Sequence, residues 1–107
     1  MEELEFRKAA DAALDSLKKS LMAAEDESGA FEVEENNGVL NVVFEEPAGK
    51  FVLTPNAPVR QIWISALSRS FKLDWDGEAF ALAGERLQPL VERLLREHTG
   101  EAGIVLR

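Results

Sequence analysis

Val59-Arg60-Gln61-Ile62-Trp63-Ile64-Ser65 alternates strictly, and its reading decides the fold. Successive side chains of a strand point to opposite faces. Ile62 and Ile64 therefore fall on one side, and Gln61, Trp63 and Ser65 on the other. The first face can cover a core. The second is polar except for one large indole. Such a face is either a solvated sheet surface, with Trp63 covered by a neighbouring loop or strand, or a binding surface.

Shorter runs of the same period precede this strand. Ala30 to Glu35 places Phe31 and Val33 inward and Glu32 and Glu34 outward. Asn36-Asn37-Gly38 is a hairpin turn, because Asn and Gly tolerate positive φ. Val39 to Glu45 returns with Leu40, Val42 and Phe44 toward the core and Asn41, Val43 and Glu45 away from it. Glu46 to Gly49 turns the chain, and Lys50 to Leu53 makes a third strand. Thr54 to Pro58 contains two prolines, which predicts a turn or an edge segment. Beyond the central strand, Leu67 to Ser70 reads as a loop and Phe71 to Trp75 as a fifth strand. Asp76-Gly77 is a tight turn, and Glu78 to Leu82 a sixth strand.

Helices bracket these strands. Phe6, Ala10, Ala13, Leu14, Leu17 and Leu21 form one stripe of an amphipathic helix over Glu2 to about Ala24, with Glu25 to Gly29 as an acidic loop behind it. Leu87, Leu90, Val91, Leu94 and Leu95 form the stripe of a second helix ending near His98. Pro89 fits only its first turn, so the regular helix begins around Arg86 to Gln88, and Gly100 caps it. Ile104 and Leu106 then pack between the helices. Contiguous strands joined by short turns imply an antiparallel sheet. The expected class is α+β: a two-layer sandwich in which the N- and C-terminal helices pack on one face of about six strands. Trp63, Gln61 and Asn41 lie on the open face.

At 107 residues, 46% hydrophobic and 30% charged, the chain suits a single domain over residues 1–107. No apolar run approaches the roughly 20 residues of a membrane span. The opening Met1-Glu2-Glu3 is acidic where a secretory signal is basic, so a cytoplasmic address is expected. Without cysteine there is no disulfide, thiolate metal site or cysteine nucleophile. The net charge of −8 is lopsided. Residues 1–46 hold 13 acids and 4 bases, a net −9, whereas residues 47–107 hold 7 acids and 8 bases, a net +1. A field of that sign repels nucleic acid and anionic lipid and attracts cations and basic proteins.

Five stretches, in this order, resemble the frataxin family, and its short bacterial members in particular. Glu5-Phe6-Arg7-Lys8-Ala9-Ala10-Asp11 is similar to the opening helix, and Gly38-Val39-Leu40-Asn41-Val42-Val43-Phe44 to the second strand. Pro58 to Ser65 resembles the family's most specific motif. Asp74-Trp75-Asp76-Gly77 with Phe80 is similar to the next hairpin. Thr99-Gly100-Glu101 and Val105-Leu106-Arg107 are similar to the end of a bacterial member.

The resemblance implies an accessory role in iron–sulfur cluster assembly, with the cysteine desulfurase and the iron–sulfur scaffold protein as partners. It implies weak Fe²⁺/Fe³⁺ binding through acids of the first helix and first strand edge, here Asp11, Asp15, Glu25, Asp26, Glu27, Glu32 and Glu34. It implies partner contact at Trp63, with Gln61, Asn56 and Lys72 at or near the family's other polar surface positions, and Asn41 sharing their face. This chain departs from the family in one place: Lys18-Lys19-Ser20-Leu21-Met22-Ala23-Ala24 interrupts the acidic ridge.

Carboxylates are hard oxygen ligands with little selectivity among Fe²⁺, Fe³⁺, Mn²⁺, Ca²⁺ and Mg²⁺. No spacing here wraps a single ion, so the expected binding is weak, open and exchangeable. A mixed-charge solvated face would account for Asp11 and Asp15 without any metal, since Lys8, Lys18 and Lys19 stand at helical neighbour positions. His98, the only histidine, is expected to meet the last helix carbonyls rather than a metal. Trp75 reads as hairpin or core packing. With no catalytic constellation, not even for a weak ferroxidase, the chain is expected not to be an enzyme but a monomeric regulator of the desulfurase. The alternative is a stand-alone iron-storage or ferroxidase-type iron chaperone, whose multinuclear site would call for buried Glu or His.

Overall fold

The computed structural model describes residues 1–107. Helix α1 (Glu3–Ser28) leads into β1 (Glu32–Asn36), β2 (Val39–Glu45), β3 (Ala48–Asn56), a 3-10 turn (Ala57–Val59) and β4 (Gln61–Ala66). β5 (Arg69–Trp75), β6 (Phe80–Leu82), β7 (Glu85–Arg86) and α2 (Leu87–Thr99) complete the order. The sheet runs β1 to β7 in sequence order, and every pairing is antiparallel. Both helices cover one face, and the other is open.

Hydrophobic periodicity builds the core. Phe6, Ala10, Leu14, Leu17, Leu21 and Ala24 are buried along α1, as are Leu87, Leu90, Val91, Leu94 and Leu95 along α2. The alternate residues Leu40, Val42, Phe44, Phe51, Leu53, Ile62, Ile64 and Leu73 meet them from the sheet. Phe6 packs edge-on against Phe80 at 5.7 Å, which fixes the start of α1 over the β6 end of the sheet. Trp75 also packs on Phe80, at 5.1 Å, as hairpin packing.

The structure shifts several boundaries. Glu25 to Ser28 is not a loop but the last turn of α1. Ala24 continues the buried stripe, and the helix stops only where Gly29 turns left-handed (φ 65°) and its N–H meets the Glu25 carbonyl at 2.9 Å. Val59 and Arg60 precede the central strand rather than opening it. Val59 closes the 3-10 turn, and Arg60 adopts φ 55°, its guanidinium folded back on the Ala57 carbonyl. β3 continues through Pro55 to Asn56, although two prolines predicted a turn or edge segment there. Its pairing with β2 ends at Leu53, so the last three residues have β4 alone as a neighbour. Proline is tolerated at such a local edge. A seventh strand replaces the expected six. Ala83 and Gly84 (φ 52° and 84°) fold Glu85–Arg86 back onto β6 before α2 begins.

The segment after α2 lies between the helices, with Ile104 and Leu106 buried. Its backbone is tied on both sides. Arg96 Nε donates to the Ile104 carbonyl at 2.8 Å, Glu92 accepts the Leu106 N–H at 2.8 Å, and Gln88 donates to the Leu106 carbonyl at 2.8 Å. From α1, Ser20 Oγ donates to the Arg107 carbonyl. This explains why Ser20, the one buried polar side chain, sits in the stripe. His98 does not serve the helix end as expected. Its ring packs on Phe44 at 4.3 Å, and Nε2 lies 2.7 Å from the Pro47 carbonyl, across on the β2–β3 turn. A carbonyl only accepts, so Nε2 carries the hydrogen.

Candidate functional site

The pleat sorts the open face. Register places Trp63 of β4 between Thr54 of β3 and Lys72 of β5. One step along, Gln61 lies between Asn56 and Asp74. Four of the five candidate contact residues, Asn56, Gln61, Trp63 and Lys72, therefore form one patch. Asn41 shares the face but stands apart. It pairs with Val52 of β3 and Glu34 of β1, two strands from Trp63 and level with Ser65, so about 12 Å away.

Trp63 is half-buried, not fully exposed. Its Nε1–H donates to Gln61 Oε1 at 2.7 Å. Gln61 Nε2 in turn donates to Asp74 Oδ1 at 2.9 Å. The Lys72 ammonium sits 4.8 Å from the Trp63 ring centroid, a cation–π contact. Both groups that meet the indole, Gln61 and Lys72, are strand side chains. Asp74 was not singled out from the sequence. Its signal was its parity: it lies two residues from Lys72, on the same side of β5.

The candidate metal ligands do not converge. Nowhere do three or more His, Asp or Glu side chains gather where they could hold one ion. Helix geometry explains this for Glu25, Asp26 and Glu27, since consecutive helical residues fan out by about 100°. A loop could have closed them around an ion; the last turn of α1 splays them. Glu25 is already engaged, its Oε1 accepting the Val33 N–H at 2.9 Å. Asp15 pairs with Lys19 at 3.3 Å, while Asp11 makes no ion pair. Lys18 reaches β1 and pairs with Glu35 at 3.0 Å. The two lysines that interrupt the ridge thus each neutralise an acid. Glu32 and Glu34 point to the open face of β1, about 7 Å apart, away from α1 and its acids.

Titration is perturbed elsewhere, at the β6–β7–α2 corner. Backbone N–H groups of Ala79 and Glu78 hold the Asp76 carboxyl below the usual range. Arg93 forks onto Glu85 (2.8 and 2.9 Å) and reaches Glu97 at 3.0 Å, lowering both carboxyls. Arg69 meets Glu97 from β5 at 3.2 Å, so this network fastens α2 to the sheet. Arg69 and Glu97 border a cleft with Leu67, Leu94 and His98, but the network touches none of the candidate residues.

A family model described as "Frataxin-like domain" matches residues 1–102. The chain is 35% identical over 94 residues to "Iron-sulfur cluster assembly protein CyaY" of Pseudomonas aeruginosa, covering 82% of this chain and 85% of that one. It is also 35% identical over 82 residues to the protein of the same name from Stutzerimonas stutzeri, covering 73% and 74%. Among solved structures, a frataxin from Psychromonas ingrahamii superposes with a TM-score of 0.74 over 94% of both chains, at 19% identity. That likeness carries the fold, and the closer relatives carry the lineage. With nearly the whole chain matched by the family model, this protein belongs to the frataxin family.

Proposed function

We propose that this chain is an accessory protein of bacterial iron–sulfur cluster assembly, which docks on the cysteine desulfurase and scaffold complex through the Trp63 face and modulates its rate. The carrying observation is the patch of Trp63, Gln61, Asn56 and Lys72 on the sheet face opposite the buried residues Ile62, Ile64 and Leu73. An aromatic ring among polar groups on a rigid sheet has the make-up of an interface anchor. Relatives named for iron–sulfur cluster assembly support the same reading. The chain acts as a monomer in the cytoplasm and is not itself an enzyme. No helix is long and apolar enough to cross a membrane.

Iron, on this reading, is a weakly held cargo. Asp11, Asp26, Glu27, Glu32 and Glu34 offer separate, exposed carboxylates, and Asp15 and Glu25 would have to give up existing partners. A stand-alone storage or ferroxidase role draws no support from carboxylates so dispersed. The deciding experiment is a pull-down and sulfide-production assay with the cognate desulfurase and scaffold. Wild type should bind and change the rate, and Trp63→Ala should lose both while keeping its melting temperature within a few degrees. A Trp63→Ala protein that binds as wild type would remove this face from the interface.

A further inference from the structure

Packing alone does not place Trp63. Its indole N–H can only donate, and it donates to Gln61 Oε1. An amide can turn either end toward a neighbour, so something must decide which end Gln61 presents. Across the ladder on β5 stands Asp74, whose ionised carboxylate can only accept, and it takes Gln61 Nε2–H at 2.9 Å. Between an obligate acceptor and an obligate donor, only one orientation of the amide satisfies both. Asp74 has no ion-pair partner; Gln61 is the side chain it binds. Lys72, opposite Trp63 on the same strand as Asp74, then finds the ring face at 4.8 Å.

We propose that Asp74 is a positioning residue of the docking face: through Gln61 it sets the plane in which the Trp63 indole is presented. This inference rests on the reading of that face as a docking surface. The indole N–H is spent inside the protein, so a partner meets Trp63 by its ring and not by its donor.

The test combines two readouts. The first is solvent exchange of the Trp63 indole N–H in the isolated protein by NMR. There are two tryptophans, and Trp63→Phe assigns the signal. The second is affinity for the desulfurase–scaffold complex. Asp74→Ala should speed indole exchange and weaken binding about fivefold each, the factor expected for one ordinary hydrogen bond. Asp74→Asn retains a carbonyl oxygen for Gln61 and should stay within about twofold of wild type. Gln61→Glu sets two carboxylates against each other and should lose as much as Asp74→Ala. Adding Asp74→Asn to Gln61→Glu supplies a donor and should restore both readouts. A general loss of folding could not produce that pattern. Indole exchange unchanged in Asp74→Ala, or a double variant no better than Gln61→Glu, overturns the proposal. So does an affinity that stays constant across these variants while Trp63→Ala abolishes binding. If Trp63→Ala also binds normally, the docking reading itself has failed.

Discussion

Glu25 shows how one side chain can be withdrawn from one role by another. It was a candidate metal ligand, and it is the acceptor for the Val33 N–H on the outer edge of β1. That N–H points away from β2, where the sheet ends and no strand can take it. An unpaired strand edge invites another chain, and a carboxylate aimed at its donor blocks that route. Glu25→Ala should therefore lower stability by about 1.5–3 kcal/mol, the net worth of a charge-assisted hydrogen bond, measured by urea unfolding. Glu25→Gln, which keeps an acceptor oxygen, should recover most of that loss. If Fe²⁺ affinity falls in Glu25→Ala as steeply as in the Glu25, Asp26 and Glu27 charge reversal combined, Glu25 is a ligand despite its bond to Val33.

Between residues and fold stand the turns, and they divide what the sequence disclosed from what it concealed. The β1–β2 hairpin was legible because Asn37 and Gly38 must both take positive φ in a two-residue turn, and they do, at 51° and 83°. Gly38→Ala keeps every contact, yet it should destabilise by roughly 1 kcal/mol, because φ 83° is costly for a residue with a Cβ. A thermal midpoint unchanged by that substitution would refute the turn assignment. The β6–β7 turn was illegible because Ala83, not Gly or Asn, adopts φ 52°, and a two-residue strand leaves no alternation to read. The end of α1 was misjudged for a related reason. Glu25-Asp26-Glu27 looks like a solvated loop, but Ala24 and Phe31 on either side are buried, and tertiary packing prolongs the helix through the acids. The boundary also bears on these acids, since a loop could bring carboxylates together and a helix spreads them. The Trp63 face was legible for the opposite reason: period-two alternation alone sorts a strand's faces. Alternation also puts Asp74 on that side of β5; what it could not supply was the pairing with Gln61, which depends on cross-strand register.

At the scale of the whole molecule, charge and stability separate in space. The acidic excess lies in α1, β1 and β2, whereas the perturbed carboxyls Asp76, Glu85 and Glu97 belong to the other end of the sheet. All three are lowered on folding. Their stabilisation is therefore full above the ordinary carboxylate value near 4 and is lost as pH falls through the lowered folded values. Unfolding should begin below about pH 4, with the midpoint flat between pH 6 and 8. Glu85→Gln should flatten the acid limb. An acid limb identical in Glu85→Gln would show that the Arg93 network contributes nothing to it.

The segment between the helices carries a consequence for synthesis. β1 to β6 are joined by near neighbours in the chain, so each hairpin can close as soon as its second strand exists. α1 is made before any of them, yet Ser20 waits for the carbonyl of Arg107, 87 residues downstream. Until Ile104 and Leu106 arrive, the apolar stripes of both helices lack their shared wedge. The pairings of the sheet are therefore local in sequence, whereas the closure of the helical layer is not. The layer locks only after α2 and the residues beyond it have been made.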